Sequence, residues 1–234
     1  MFFLQTPVKG YLSIGDDVLL NHWMVRHLDR RKLWIPYGFR KVNFVTRTRL
    51  YDWSAWRMYY GRGAFIDVMK DLWRLSEQTI SSTDSHFEEK MHRKKLASQF
   101  LENYYTNIGR EHLLIGGADF FYIPEIMKEQ YLMASGIFRS RKCFVELALP
   151  AMHLGLASTH DVIYVEGSNL WREGRSHPWS YFNVTHVYLH PFKLMKDAQY
   201  GSAGNALFCG IYLRRLAEFV RNRGFDYKNL KVDS

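Results

Sequence analysis

Lys9-Gly10-Tyr11-Leu12-Ser13-Ile14-Gly15-Asp16-Asp17 is the stretch whose reading decides the fold. Leu12 and Ile14 alternate with Tyr11 and Ser13, the period of a half-buried strand. The spacing predicts a central strand over Lys9 to Ile14 that ends in two adjacent carboxylates. In α/β sheets ligands bind outside the carboxyl ends of strands, so this turn is where a functional acid would sit. Two neighbouring carboxylates can share a hard divalent cation, Mg2+ or Mn2+, and such a cation can neutralise a departing diphosphate. The same two residues also make an ordinary Asp-Asp turn or the N-cap of a short helix over Val18 to Trp23.

Downstream, helices and strands alternate. Phe65, Val68, Met69, Leu72 and Trp73 recur at i, i+3, i+4, i+7 and i+8 and predict an amphipathic helix over Ala64 to Ser76. A second helix over Ser85 to Asn107 is announced by Ser85 and Glu88 as a capping box, a stripe through Met91, Phe100, Leu101 and Tyr104, and Gly109 at its C-terminal end. Leu113 to Ile123 is strand-like around Gly116-Gly117, and Pro124 suits the first turn of a helix towards Phe138. Cys143 to Leu156 reads as a buried helix that Pro150 kinks or divides. A strand at Val162 to Val165, a loop through Trp171 and Trp179, a strand at Val184 to Leu189 and a helix from Asn205 to Asn222 follow. Asp29 to Tyr60 lacks a clean period and reads as loops and short strands. The alternation predicts an α/β fold, a mixed sheet flanked by helices, as one domain over residues 1–234.

Composition fits that reading. Apolar residues make up 47% of the 234, enough for a real core. The net charge of +9 favours acidic partners. It is spread along the chain, with short clusters such as Arg30-Arg31-Lys32 and Arg93-Lys94-Lys95 and no long basic run, so a nucleic-acid partner is not expected. Aromatic residues are 16%, which serves packing first and stacking on sugars or bases second. Cys143 and Cys209 allow one bridge in an oxidising compartment but match no zinc spacing. No stretch approaches the length of a membrane span, and the apolar Met1 to Leu4 is too short for a signal peptide. Asn183-Val184-Thr185 is a glycosylation sequon, of consequence only in the secretory pathway.

Four segments in order carry a family resemblance. Gly10 to Asn21 (GYLSIGDDVLLN) resembles the metal-binding strand of STELLO-type probable glycosyltransferases, which are distantly exostosin-like and of the A-type glycosyltransferase fold. Ile115 to Pro124 (IGGADFFYIP) is similar to the strand behind the acceptor site. Cys143 to Pro150 (CFVELALP) resembles the helix presenting a catalytic carboxylate, and His186 to Leu194 (HVYLHPFKL) the closing strand. The resemblance implies a metal held by Asp16, Asp17 and His190 and a catalytic carboxylate at Glu146 beside the acceptor hydroxyl. By their own chemistry Lys193, a point charge, and Arg172, a bidentate fork, can pair with a donor diphosphate, or equally lie on solvated surface. From the residues alone, Glu146 is equally an acid favoured by a helix N-terminus, and His190 a structural histidine. Asp119 reads as a loop residue that bonds backbone beside Gly116-Gly117. Trp53, Trp171 and Trp179 are candidate sugar platforms that also suit packing.

The resemblance further implies a nucleotide-sugar donor, a glycan or glycoprotein acceptor, a Mn2+ or Mg2+ cofactor, another Golgi transferase as companion, and a Golgi or secretory setting for the full-length parent. The matching series starts at the metal strand, so the nucleotide-binding half is expected to be missing. The chain then reads as an N-terminally truncated member that transfers sugar poorly alone. A non-catalytic, glycan-binding or transferase-associated role is the main alternative. A basic, aromatic nucleic-acid module ranks last.

Overall fold

A computed structural model describes residues 8–47, 49–50, 53–170, 178–192, 206 and 208–222. The order begins with β1 (Gly10–Ile14), β2 (Leu19–Leu20), the one-turn α1 (His22–Val25), β3 (Leu33–Pro36) and β4 (Arg40–Asn43). Two long helices follow, α2 (Arg62–Glu77) and α3 (Phe87–Asn107), then β5 (His112–Ile115), β6 (Phe120–Pro124), α4 (Lys128–Ser140) and α5 (Val145–Leu156). Last come β7 (Val162–Val165), β8 (Gly167–Asn169), β9 (Tyr188–His190) and α6 (Leu213–Arg221). The chain is a mixed α/β protein. Its described residues form two compact units: those up to Ile14 with Arg30–Tyr164, and Gly15–Asp29 with those from Val165 onward.

The larger unit holds a four-stranded sheet in the order β1-β6-β3-β7, the antiparallel pair β4-β5, and helices α2 to α5. β1 runs antiparallel to β6 from Gly10↔Pro124 to Ile14↔Phe120, and β3 is antiparallel to β6 at Trp34↔Tyr122. There the two rings stack at 4.1 Å. β3 and β6 are buried along their whole length. β1 is an edge strand, not the central one expected, and Leu12 and Ile14 are 42% and 47% exposed. Alternation marks a pleated strand, but an edge strand shows the same period.

The helical layer is built by apolar stripes. Phe65, Val68, Met69 and Leu72 of α2 are buried as their spacing requires, while Trp73, counted in the same stripe, is 57% exposed. α3 starts at Phe87 with His86 at its N-cap and no side-chain cap, so the Ser85–Glu88 box does not form. Instead Asp84 takes an ion pair from Lys90 at 2.6 Å, and the Asp84 carbonyl accepts the Phe87 N–H. Met91 is exposed, whereas Ala97, Phe100, Leu101 and Tyr104 carry the burial. Gly109 adopts φ 96°, the left-handed C-cap expected of it, and its N–H reaches the Tyr105 carbonyl. Pro124 ends β6 and precedes a 3-10 turn (Glu125–Met127) that leads into α4, one step earlier than a first-turn proline. Pro150 lies inside α5 without dividing it. Arg141, just past α4, grips Asp71 of α2 with two bonds of 2.5 and 2.8 Å, which pulls the Asp71 carboxyl below its ordinary range.

The smaller unit is a three-stranded sheet in the order β2-β9-β8 with α1 and α6. β9 is shorter than the strand expected from Val184, because 184–187 is occupied by turns. Of the expected last helix, the regular part is Leu213–Arg221, preceded by a wider π turn at Phe208–Tyr212. Leu19, Leu170, Leu189, Phe192 and Tyr212 form its core. No helix among the described residues is long and apolar enough to cross a membrane.

Both cysteines are free thiols. Burial pushes the Cys143 thiol up to about 12, so thiolate is scarce there near neutral pH. Cys209 is exposed. Iodoacetamide at pH 8 should therefore label Cys209 and spare Cys143 in the native protein. Peptide mapping reads this directly, and equal labelling would contradict the burial of Cys143.

Candidate functional site

The strand register of the smaller unit brings two chemical groups together. β2 pairs antiparallel with β9 at Leu19↔Leu189 and Leu20↔Tyr188. The residue two places before β2 thus lies near the end of β9. Gly15 to Val18 closes a tight turn, with the Val18 N–H on the Gly15 carbonyl at 3.2 Å, and the Asp17 carbonyl accepts the Phe192 N–H at 2.7 Å. With the backbone so fixed, Asp17 Oδ1 stands 3.2 Å from His190 Nε2. Their side chains keep 18% and 10% of their exposure, so the pair is largely shielded yet reachable.

His190 is fixed from the other side as well. β8 runs parallel to β9 with Asn169↔His190 in register, and the His190 carbonyl accepts the Leu170 N–H at 2.7 Å. Asn169 donates to the Tyr188 hydroxyl at 2.7 Å. On the neighbouring strand β2, the Tyr212 hydroxyl donates to the Leu20 carbonyl at 2.9 Å. Asp16, on the same turn as Asp17, is exposed.

An imidazole and a carboxylate at this separation can form a hydrogen-bonded ion pair or present one nitrogen and one oxygen to a cation. Adjacent ligands at right angles around a small divalent ion, with bonds of about 2.1 Å, stand roughly 3.0 Å apart. The 3.2 Å separation therefore matches a two-ligand bite. A mixed nitrogen and oxygen set suits Mn2+ better than Mg2+, which prefers oxygen alone. No group of three or more His, Cys, Asp or Glu among the described residues is placed to hold a metal ion. The pair by itself offers one oxygen and one nitrogen.

Glu146 belongs to the larger unit, half-buried in the first turn of α5. Its backbone carbonyl accepts the Gly116 N–H at 3.3 Å. That bond joins the N-terminus of α5 to the Gly116-Gly117 segment within this unit. Asp119 is half-buried in the loop between β5 and β6. Trp53 packs on Phe144 with ring centroids 5.6 Å apart, at the margin of the core, and so serves packing. Trp179 is half-buried in the 3-10 turn Pro178–Tyr181. Arg172, Lys193 and Trp171 lie outside the described residues.

Asn21 and His153 are among the buried polar groups that the sequence does not single out. Asn21, almost fully buried, donates through Nδ2 to the carbonyls of Asn183 at 3.0 Å and His186 at 2.7 Å. His153 of α5 is 1% exposed, and neither ring nitrogen has a hydrogen-bond partner among the described residues. Neither has a local signature, because the partners or neighbours that bury them lie far away in sequence.

No family model matches the chain, and no solved structure matches it. It is similar to a curated protein described as probable glycosyltransferase STELLO1 of Arabidopsis thaliana, at 20% identity over 174 residues. The match covers 74% of this chain and 19% of that protein, so the chain spans about a fifth of the length of the curated relative it matches. This likeness supports a distant glycosyltransferase-like relationship.

Proposed function

We propose that this chain is part of a glycosyltransferase that moves a sugar from a nucleotide-sugar donor to a glycan or glycoprotein acceptor in the secretory pathway. The observation that carries the reading is the Asp17–His190 pair, a carboxylate and an imidazole held 3.2 Å apart at two strand ends. The distant likeness to a probable glycosyltransferase supplies the reaction class. Asp17 and His190, with Asp16 outside them, would hold a divalent cation, Mn2+ before Mg2+, together with the donor diphosphate. When bound, such a cation supplies positive charge against the departing diphosphate. Arg172 and Lys193 are the basic side chains assigned to that diphosphate. Glu146 is assigned to the acceptor hydroxyl, as base or as stabiliser of developing charge.

With so few protein ligands, Mn2+ alone should bind weakly, and Mn2+ with UDP should bind measurably more tightly. Calorimetric titration of the chain with Mn2+, with and without UDP, reads this. Asp17→Asn keeps the turn but removes the anionic ligand and should cost about tenfold or more in the joint affinity, roughly 1.4 kcal/mol. Glu146→Gln should leave that affinity unchanged and lower only transfer in the active protein. An Asp17→Asn variant with native urea stability and undiminished Mn2+–UDP binding would remove the cation site.

A further inference from the structure

Asn183-Val184-Thr185 is the one Asn-X-Ser/Thr triplet in the 234 residues, and its middle residue is not proline. A bare triplet says little, since most of what decides its use is exposure and backbone shape. Here both are favourable. The triplet lies in the loop between the Pro178–Tyr181 turn and β9, with Asn183 and Thr185 exposed. The Asn183 side-chain Oδ1 accepts two bonds, from the Thr185 N–H at 2.9 Å and from the Thr185 hydroxyl at 2.8 Å. This is an Asx turn closed by the threonine itself. With Oδ1 occupied, the amide is fixed in one orientation, and its Nδ2 makes no hydrogen bond among the described residues.

The loop is also clamped from below. Buried Asn21 holds the carbonyls of Asn183 and His186, and the His186 N–H closes back on the Asn183 carbonyl at 3.1 Å. The backbone is thus pinned while the side chain faces out. Beside it runs an open cleft of about 490 Å³ whose lining includes Tyr181, Phe182 and Ile211. Tyr181, two residues before Asn183, is 50% exposed. Its ring offers a flat apolar face against which the C–H face of a first sugar can pack.

From this geometry we infer that Asn183 is an N-glycan acceptor of this chain. The inference rests on the secretory setting of the function proposed above, not on its cation chemistry. In the step, Asn183 Nδ2 bonds to the anomeric carbon of a lipid-diphosphate-linked oligosaccharide. The carbon–oxygen bond to the diphosphate breaks, the lipid diphosphate leaves with that electron pair, and the amide gives up one proton. The cell's oligosaccharyl-transferring enzyme performs the transfer.

The test is to direct the full chain into the secretory lumen of eukaryotic cells behind a cleavable leader. Intact mass and peptide maps are then taken of both secreted and retained luminal protein, before and after peptide N-glycosidase F. The expected result is one glycan, removed by the glycosidase with conversion of residue 183 to aspartate. Asn183→Gln and Thr185→Val should both fall to zero occupancy, whereas Thr185→Ser, which keeps a hydroxyl, should retain a reduced fraction. Luminal wild-type chain with unmodified Asn183 overturns the inference and leaves the Mn2+–UDP titration untouched. A glycan that persists in Asn183→Gln overturns it equally.

Discussion

Gly155→Ala should destabilise the larger unit by about 1–3 kcal/mol, seen as a lower urea midpoint with an unchanged slope. Helix propensity alone points the other way, since alanine is better than glycine inside a helix by roughly 0.5–1 kcal/mol. Sterics decide the sign. A Cβ on Gly155 would stand 2.3 Å from Cε2 and Cζ of Phe100, where carbon pairs rest at about 3.5–4.0 Å. Phe100 has no room to retreat, being fully buried and ringed by Tyr104 and Phe138 at centroid distances of 6.4 and 6.5 Å. α5 cannot easily back away either. Asn103 donates to the Gly155 carbonyl at 3.2 Å, and Asn107 to those of Leu154 at 2.7 Å and Ala157 at 2.8 Å, tying the end of α5 to α3. Combining the change with Phe100→Leu should recover part of the loss, because the smaller side chain vacates the contested space. A Gly155→Ala protein as stable as wild type would mean that α3 and α5 do not approach this closely.

Helical stripes were legible in sequence because they are local. Phe65, Val68, Met69 and Leu72 occupy one face of α2, and all four are buried. Trp73 follows the same spacing yet is largely exposed, since a stripe fixes a face and not its width. The strand over Gly10–Ile14 was equally legible, but its place at the sheet edge depends on pairing with β6, more than a hundred residues away. The candidate site divides in the same way. That Asp17 ends an apolar strand can be read directly, but its meeting with His190 follows from the β2–β9 register, which no local period announces. Glu146 was singled out by the resemblance, and the structure adds a bond from the Gly116 N–H to its carbonyl, whose helical donor four residues on would be Pro150, which has no N–H. Polar burial was illegible for a related reason. His153 falls in an apolar helix whose pattern says only that something is buried there.

His153→Leu should raise stability by about 1–3 kcal/mol at pH 7.5 and by more at pH 5. At neutral pH the gain comes from removing two buried ring nitrogens that have no partner among the described residues. Leucine fills a similar volume, suits the helix and keeps an apolar contact with Phe121, whose ring lies 4.8 Å from the imidazole. The pH dependence follows from the proton. Burial lowers the His153 imidazole from 6.5 to about 3, so the folded chain keeps it neutral while the unfolded chain protonates it below pH 6.5. A base whose folded pKa is depressed contributes its full stability above the unfolded value. That contribution is lost as pH falls from 6.5 towards 3, with a limiting slope of roughly 1.4 kcal/mol per pH unit. Carboxylates titrate over the lower part of the same range in both proteins, so the difference between wild type and variant isolates the histidine. Urea midpoints of the two proteins at pH 7.5, 6 and 5 should diverge progressively in favour of the variant. A constant gap across those values would mean that His153 titrates normally in the folded chain and is not sealed from water. A variant less stable than wild type at pH 7.5 would mean that the imidazole has a partner worth more than the apolar contact replacing it.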